Sequence, residues 1–547
     1  MLIQRNQVTM RIAHVVLGVA LALALSSCGP TGPDVPDQPP GTPPAGRPDF
    51  AATLSAYFPP PEAIGGWRRT TSSLDALALG VDLAKLDSLG AYVTSLPYEH
   101  YGIGVTGYDE TDKAVLVVKN GWLVGEYYNQ PSARTDVYYL ASNGKTFAMM
   151  LLGRLLLDYP SLGIGLDSRL YDSRWLPEGY PLSDPRKADI TFDQVFRHVS
   201  GIVPEVEAPV ASGAVPAGAG WDLVPFTAGH DTDWPVSAPL YFAPGDASTY
   251  TKGSTYSSVA FNHFGLIFHN VTQQEPGAYL RSAILDPIGV GRMAYKRRSG
   301  MGTYQWATAG NGLASARDFA RLAYLLLHEG NWAGRQLFTA EWLRNFTSTP
   351  VYPNIQSNQD CSQGAAYPAD MYLTTGSGVN RAVVVPSLDL VATINGRTPT
   401  SLKAPVTAAF LEKLFASVTQ PYVTCDGRTM NAQRVAGLTL IDADTDQPIG
   451  PLADGMTLDL ATLPTRRLNV RAETSPAVVG SVRFRLDAKA NYRTETGAPY
   501  ALAGDSGGDY KPWTPAAGAH VLTATPYTGP KASGTAGTPL TVRFTVR

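Results

Sequence analysis

Hydrophobic and polar positions fall into two regimes along this chain. From about residue 58 to 420, helical and strand-like periods are mixed. Ala114–Val118 and Trp122–Tyr128 are apolar-rich runs joined by Lys119-Asn120-Gly121, which predicts a hairpin with an Asn-Gly turn. Thr146–Leu157 is apolar on all sides and predicts a buried helix, while Ala316–Leu327 predicts an amphipathic one. Ala382–Val385 and Leu390–Ile394 flank Pro386-Ser387-Leu388-Asp389 and predict a second hairpin. After Cys425 the pattern changes. Leu438–Ile441, Leu468–Arg471, Val482–Leu486, His520–Ala524 and Leu540–Val546 are short strand-like runs between Asp, Gly and Pro turns, which predicts a sandwich of immunoglobulin-like type over residues 432–547.

The N-terminus follows neither pattern. Arg5 and Arg11 precede an apolar run, Val15–Leu25, that is too short to span a membrane comfortably. Met10-Arg11 offers a second start with a charged region of its own. The run ends in Leu25-Ser26-Ser27-Cys28-Gly29, which resembles a bacterial lipobox with Cys28 as the lipidated residue. Residues 1–28 then read as an export signal and 29–57 as a Pro- and Gly-rich tether, so the expected product is an exported lipoprotein held to a membrane by its lipid alone. Cys361 and Cys425 remain; in an oxidising compartment they can pair structurally, and the sequence leaves that open.

With 547 residues, two or three domains are expected. Hydrophobic residues make up 44% and charged residues 16%, with a net charge of -3, which leaves no electrostatic basis for nucleic-acid binding. Neither a metal-ligand spacing nor a phosphate loop or dinucleotide fingerprint is present, so no cofactor is expected.

Candidate chemistry rests on Ser142-Asn143-Gly144-Lys145 at the start of the buried helix. Residues i and i+3 share a helix face, so the hydroxyl and the amine meet at the first turn. A free serine is a poor nucleophile and needs an adjacent base, for which Lys145 is the candidate. Gly504-Asp505-Ser506-Gly507-Gly508 matches serine-hydrolase patterns too, but no helix follows it and His520, the only histidine of that region, lies downstream; a polar turn is expected.

Several further segments accompany the first motif in order. Ile190–Ile202 resembles an "ITxxxLLxHTSG" segment, Ala243-Pro244-Gly245 with Tyr256-Ser257-Ser258 a "PG…YSN" segment, Gly312–Asp318 a "GGLxSTxxD" helix start, and Gly376–Asn380 with Pro386 and Asp389 a "GxGGQ…P…D" segment. Residues 58–425 thereby resemble the serine β-lactamase and penicillin-binding-protein superfamily, in its class C-related branch of esterases, D-amino-acid peptidases and nylon-oligomer hydrolases. The resemblance implies an α+β fold, an antiparallel sheet flanked by helices plus a helical subdomain, with a β-sandwich following it. It implies Ser142 as nucleophile, Lys145 as base and Tyr256 as proton shuttle, with Tyr250 a rival for that role. It implies an oxyanion hole from the backbone N–H of Ser142 and of a strand residue, Gly378 or Val379, beside Gly376. His198 falls in a structural segment, and Arg317 and Asp318 read as a helix-start pair. The lysine of the Lys-Thr-Gly motif is missing, which counts against β-lactam carboxylate recognition. The expected activity is hydrolysis of an ester or amide in a small-molecule or peptide substrate. A D-Ala-type peptidase or β-lactam-binding protein, and a silent surface-binding protein on the same scaffold, are the alternatives. The C-terminal sandwich reads as an accessory module that binds a cell-wall or surface ligand or spaces the enzyme out.

Overall fold

The computed structural model describes residues 57–100, 108–204, 236, 238–246, 255–295, 308–310 and 312–547. Cys28, the tether up to residue 56 and Tyr250 lie outside these residues.

The first region is built on one antiparallel sheet. Its strands are β1 (Lys113–Lys119), β2 (Trp122–Tyr128), β3 (Ile355–Ser357), β4 (Tyr372–Thr374), β5 (Arg381–Val385) and β6 (Leu390–Gly396), in the order β2-β1-β6-β5-β4-β3. Both predicted hairpins are present. Lys119 pairs with Trp122 across a two-residue turn in which Asn120 and Gly121 have φ of 50° and 70°, and Val385 pairs with Leu390. Every residue of β1 and β6 is buried, because the sheet is covered on both faces. Side chains alternate between those faces. Ala114, Leu116, Val118, Ala382 and Val384 join the core of helices α2 (Asn143–Asp158), α3 (Ser258–Thr272) and α4 (Ala316–Leu327). Val115, Val117, Val383, Val385 and Ile394 face α1 (Leu83–Thr94) and α6 (Lys403–Ser417), the latter preceded in the chain by α5 (Ala340–Thr347). Each Val, Leu or Ile among them, fully buried, contributes roughly 1.5–3 kcal/mol.

Helix α4 departs from the amphipathic expectation. All its residues except Arg317 are buried. Its polar stripe faces the segment after Tyr57: Arg321 donates to the carbonyls of Pro59, Pro60 and Ile288 and pairs with Glu62, and Arg317 pairs with Glu62 and Glu126. Asp318 accepts from the backbone of Gly291 and Arg292 and from Ser315, a helix-start role.

The C-terminal region is built mainly of strands. It comprises β7 (Arg434–Asp442), β8 (Gln447–Pro451), β9 (Met456–Leu458), β10 (Leu468–Ser475), β11 (Ser481–Leu486), β12 (Lys489–Glu495), β13 (Tyr500–Ala501), β14 (Gly518–Tyr527) and β15 (Leu540–Val546). They form two sheets, β8-β7-β10-β13 and β9-β15-β14-β11-β12. Leu438, Leu440, Val470, Val482, Phe484, Leu522 and Phe544 fill a core of their own between them, fed by the alternation of each strand. Gly504–Gly508 is a tight hairpin turn, with Asp505 and Ser506 pairing Tyr510 and Asp509. Cys361 and Cys425 form a disulfide with Cα atoms 5.6 Å apart, tying the loop after β3 to the chain beyond α6. Among the described residues no helix is long and apolar enough to cross a membrane.

Candidate active site

Ser142 stands at the N-cap of α2 and offers no side-chain cap to it, which leaves its hydroxyl for other partners. The preceding Ala141 has φ of 49°, a conformation uncommon for a residue with a Cβ, and it turns the chain sharply into the helix. The start of α2 is fixed from below. Asn143 donates to the carbonyls of Leu140 (2.9 Å) and Asn380 (3.0 Å) and accepts from Thr374 (2.6 Å). Gly144 lets a second segment close in: a Cβ there would stand 2.8 Å from Gly310 Cα. That approach brings the Ala309 carbonyl to Lys145.

Lys145 is fully buried. Its Nζ lies 3.3 Å from Ser142 Oγ, 2.8 Å from Ser258 Oγ and 2.9 Å from the Ala309 carbonyl. The i, i+3 spacing thus brings hydroxyl and amine into contact.

Tyr256 lies beside this pair. Lys145 Nζ sits over its ring, 4.6 Å from the centroid, while its hydroxyl accepts from Asn354 Nδ2 at 2.9 Å. The reason is the wall behind it. His198 stacks on the Tyr256 ring with centroids 3.8 Å apart. The Ser257 N–H donates to His198 Nδ1 (3.0 Å), so Nε2 carries the proton and donates to Asn354 Oδ1 (2.9 Å). This fixes the Asn354 amide with its NH2 toward the tyrosine. Burial above all pushes the His198 pKa down to about 3, so the ring is neutral and is a prop rather than a base.

Gly376, Gly378 and Val379 border the same corner, but in a turn rather than on the strand. Gly376 N–H donates to the Asn380 carbonyl (2.7 Å), Gly378 and Val379 have φ of 75° and 67°, and β5 begins only at Arg381. Two successive left-handed residues cannot continue a ladder. For a β-branched, buried valine this φ is strained, and such strain is held where the surroundings fix it. A Cβ on Gly376 would collide with the Leu140 carbonyl and the Asn143 amide, so the turn reaches the nucleophile's own segment only because that position is glycine.

The sequence reading missed Asn354, which lies outside any motif, and gave no role to Asn143 inside the Ser142–Lys145 motif, to Ser258 or to Ala309. The only sequence signal for Ser258 was its place two residues after Tyr256. Among the described residues no group of three or more His, Cys, Asp or Glu side chains could hold a metal ion.

Comparison with known proteins identifies the first region. Solved structures similar to the chain include a putative β-lactamase from Bacteroides dorei (16% identity, TM-score 0.45, covering 62% of this chain and 100% of that one) and a putative 6-aminohexanoate-dimer hydrolase from Bacillus anthracis (18%, 0.44, 66% and 91%). A family VIII carboxylesterase is similar at 15% identity and TM-score 0.41, over 60% of this chain and 96% of that one. No curated protein sequence matches. The β-lactamase family model matches residues 107–409, more than half of the chain and the whole of the Ser142 corner. The chain belongs to the β-lactamase family, whose fold is that of serine hydrolases.

Proposed function

We propose that this protein is an exported serine hydrolase that cleaves an ester or amide through an acyl-enzyme on Ser142. The carrying observation is the 3.3 Å contact between Ser142 Oγ and Lys145 Nζ. The Ala309 carbonyl can only accept, so the amine donates to it; a second N–H reaches Ser258 Oγ, and as the neutral amine its lone pair is left for the Ser142 hydroxyl. Ser142 Oγ attacks the substrate carbonyl carbon while its proton passes to Lys145. The negative oxygen is stabilised by the N–H of Ser142 and a donor from the Gly378–Val379 turn. Collapse breaks the bond to the alcohol or amine, which leaves with a proton. The Tyr256 hydroxyl accepts from Asn354, so its own hydrogen is free to be given to that leaving group. Water then attacks the acyl carbon, gives up a proton to the same groups and releases the acid, restoring Ser142.

The charged, apolar and Leu-Ser-Ser-Cys28 succession supports export and lipid anchoring. The C-terminal strands support an accessory role at a surface. The test is hydrolysis of a nitrophenyl acetate by the protein and by Ser142→Ala. The variant should lose turnover by more than ~10³-fold. Equal turnover would defeat the proposal.

A further inference from the structure

The proposed reaction draws its second oxyanion donor from the Gly376–Asn380 turn. Two successive left-handed residues, one of them a buried valine, persist only where their surroundings over-determine them. The last residue of the turn supplies that constraint. Asn380 is fully buried. Its side-chain amide donates to the Ser377 carbonyl (2.8 Å) and to the Gly396 carbonyl (3.1 Å), and its Oδ1 accepts from the Gly396 N–H (3.1 Å). Carbonyls only accept and an N–H only donates, so this orientation of the amide is the one that satisfies all three. Asn380 thus clasps Gly396 by both its N–H and its carbonyl, as a ladder partner would, and holds Ser377 in the same grip. Gly396 ends β6 and is itself confined: at its φ of 134°, a Cβ would stand 2.6 Å from the Asp112 carbonyl oxygen and from Lys113 Cδ. The Thr398 N–H adds a bond to the Gly378 carbonyl (3.0 Å).

The backbone carbonyl of Asn380 serves the nucleophile's side. It accepts from the Gly376 N–H (2.7 Å) and from Asn143 Nδ2 (3.0 Å), and Asn143 adjoins Ser142. One residue therefore joins three pieces: the start of α2, the turn and the end of β6.

We propose that Asn380 is the positioning residue of the oxyanion hole. Its carbonyl registers the turn against Ser142 and its side chain registers the turn against the sheet, so the two N–H donors keep the spacing that a tetrahedral oxygen needs. The inference rests on Ser142 acting as nucleophile. Removing the Asn380 amide releases the turn from Gly396 without deleting either donor.

The experiment compares the full chain with Asn380→Ala and Asn380→Asp. It reads kcat and KM for nitrophenyl acetate, and the affinity for phenylboronic acid, which adds to a serine hydroxyl as a tetrahedral anion. Both variants should lose kcat by ~10–100-fold with KM within about twofold, and boronate affinity by the same factor, because the tetrahedral species alone depends on the spacing. Asn380→Asp keeps the volume and the acceptor but not the two N–H groups, so it decides the matter should Asn380→Ala fail to fold. A role confined to folding would lower Tm and leave kcat and boronate affinity of the folded variants unchanged, and that result overturns the proposal; so does a rise in KM alone. Ser142→Ala separates the two readings. Turnover retained there defeats Ser142 as nucleophile, whereas turnover lost there but kept in the Asn380 variants defeats the role of Asn380 alone.

Discussion

Two serine motifs sit in this chain, and only one is given a base. Ser142 starts a buried helix, with Lys145 one turn on and three segments closing over the amine. Ser506 sits in an exposed hairpin turn of the C-terminal region, where Asp505 serves only to hold the Gly508 N–H. The one histidine there is occupied: His520 Nδ1 meets Asp487 and Nε2 meets the Ala516 carbonyl, both at 2.8 Å. Burial alone would push its pKa down, but those two hydrogen bonds raise it, and both ring nitrogens are engaged. The difference teaches that a nucleophile is defined by what is packed around it. A short pattern can be met by a polar turn at no cost, whereas a buried lysine beside a serine must be supported from several elements.

The sharpest way to break this comparison is a pair of substitutions. Ser142→Ala should abolish ester turnover, by up to ~10⁶-fold in kcat, while Ser506→Ala leaves it unchanged in a steady-state assay. Lys145→Met should cost ~10³-fold or more, and Tyr256→Phe ~10²–10⁴-fold, because each removes a proton-transfer partner. The disulfide closes a loop across a separation of 64 residues. By loop entropy Cys361→Ala should lower stability by about 4 kcal/mol, read by urea unfolding. Asn354 is a positioning residue for the Tyr256 hydroxyl, so Asn354→Ala should lower kcat by roughly 10–100-fold with KM little changed; a structural role alone would disturb KM and stability as well. A further prediction concerns stability in acid. His198 and His263 are buried and held near a pKa of about 3, first by burial, whereas the unfolded chain takes up those protons near 6.5. The unfolded state binds more protons in that window, so stability falls as pH drops from about 6.5 toward 3, by up to ~2.7 kcal/mol per pH unit for the pair. A flat unfolding free energy between pH 6.5 and 5 contradicts their neutral burial.

Much of the fold was legible because local signals agree with tertiary demands. The Asn120-Gly121 turn, the Pro386–Asp389 hairpin and the bounds of α4 all follow from turn chemistry and period. The burial of α4 was not legible, because its cover comes from Pro59, Pro60 and Glu62, far away in sequence. The site divides the same way. Ser142 and Lys145 are one helical turn apart, so spacing alone placed them together. The partner of the Tyr256 hydroxyl was not legible, because Asn354 and His198, brought in from other segments, decide where it bonds. The Gly376–Val379 turn was read as strand because its glycines and neighbouring valines fit a β pattern, and only the paired positive φ values exclude it.

The most direct test of the central claim is to trap the acyl-enzyme. The protein is mixed with a slowly deacylating nitrophenyl ester, quenched in acid, digested and mapped by mass spectrometry. A single acyl adduct on the peptide bearing Ser142, absent in Ser142→Ala, is the predicted result. An adduct on the peptide bearing Ser506, or hydrolysis with no adduct at Ser142 under conditions of burst release, would contradict it.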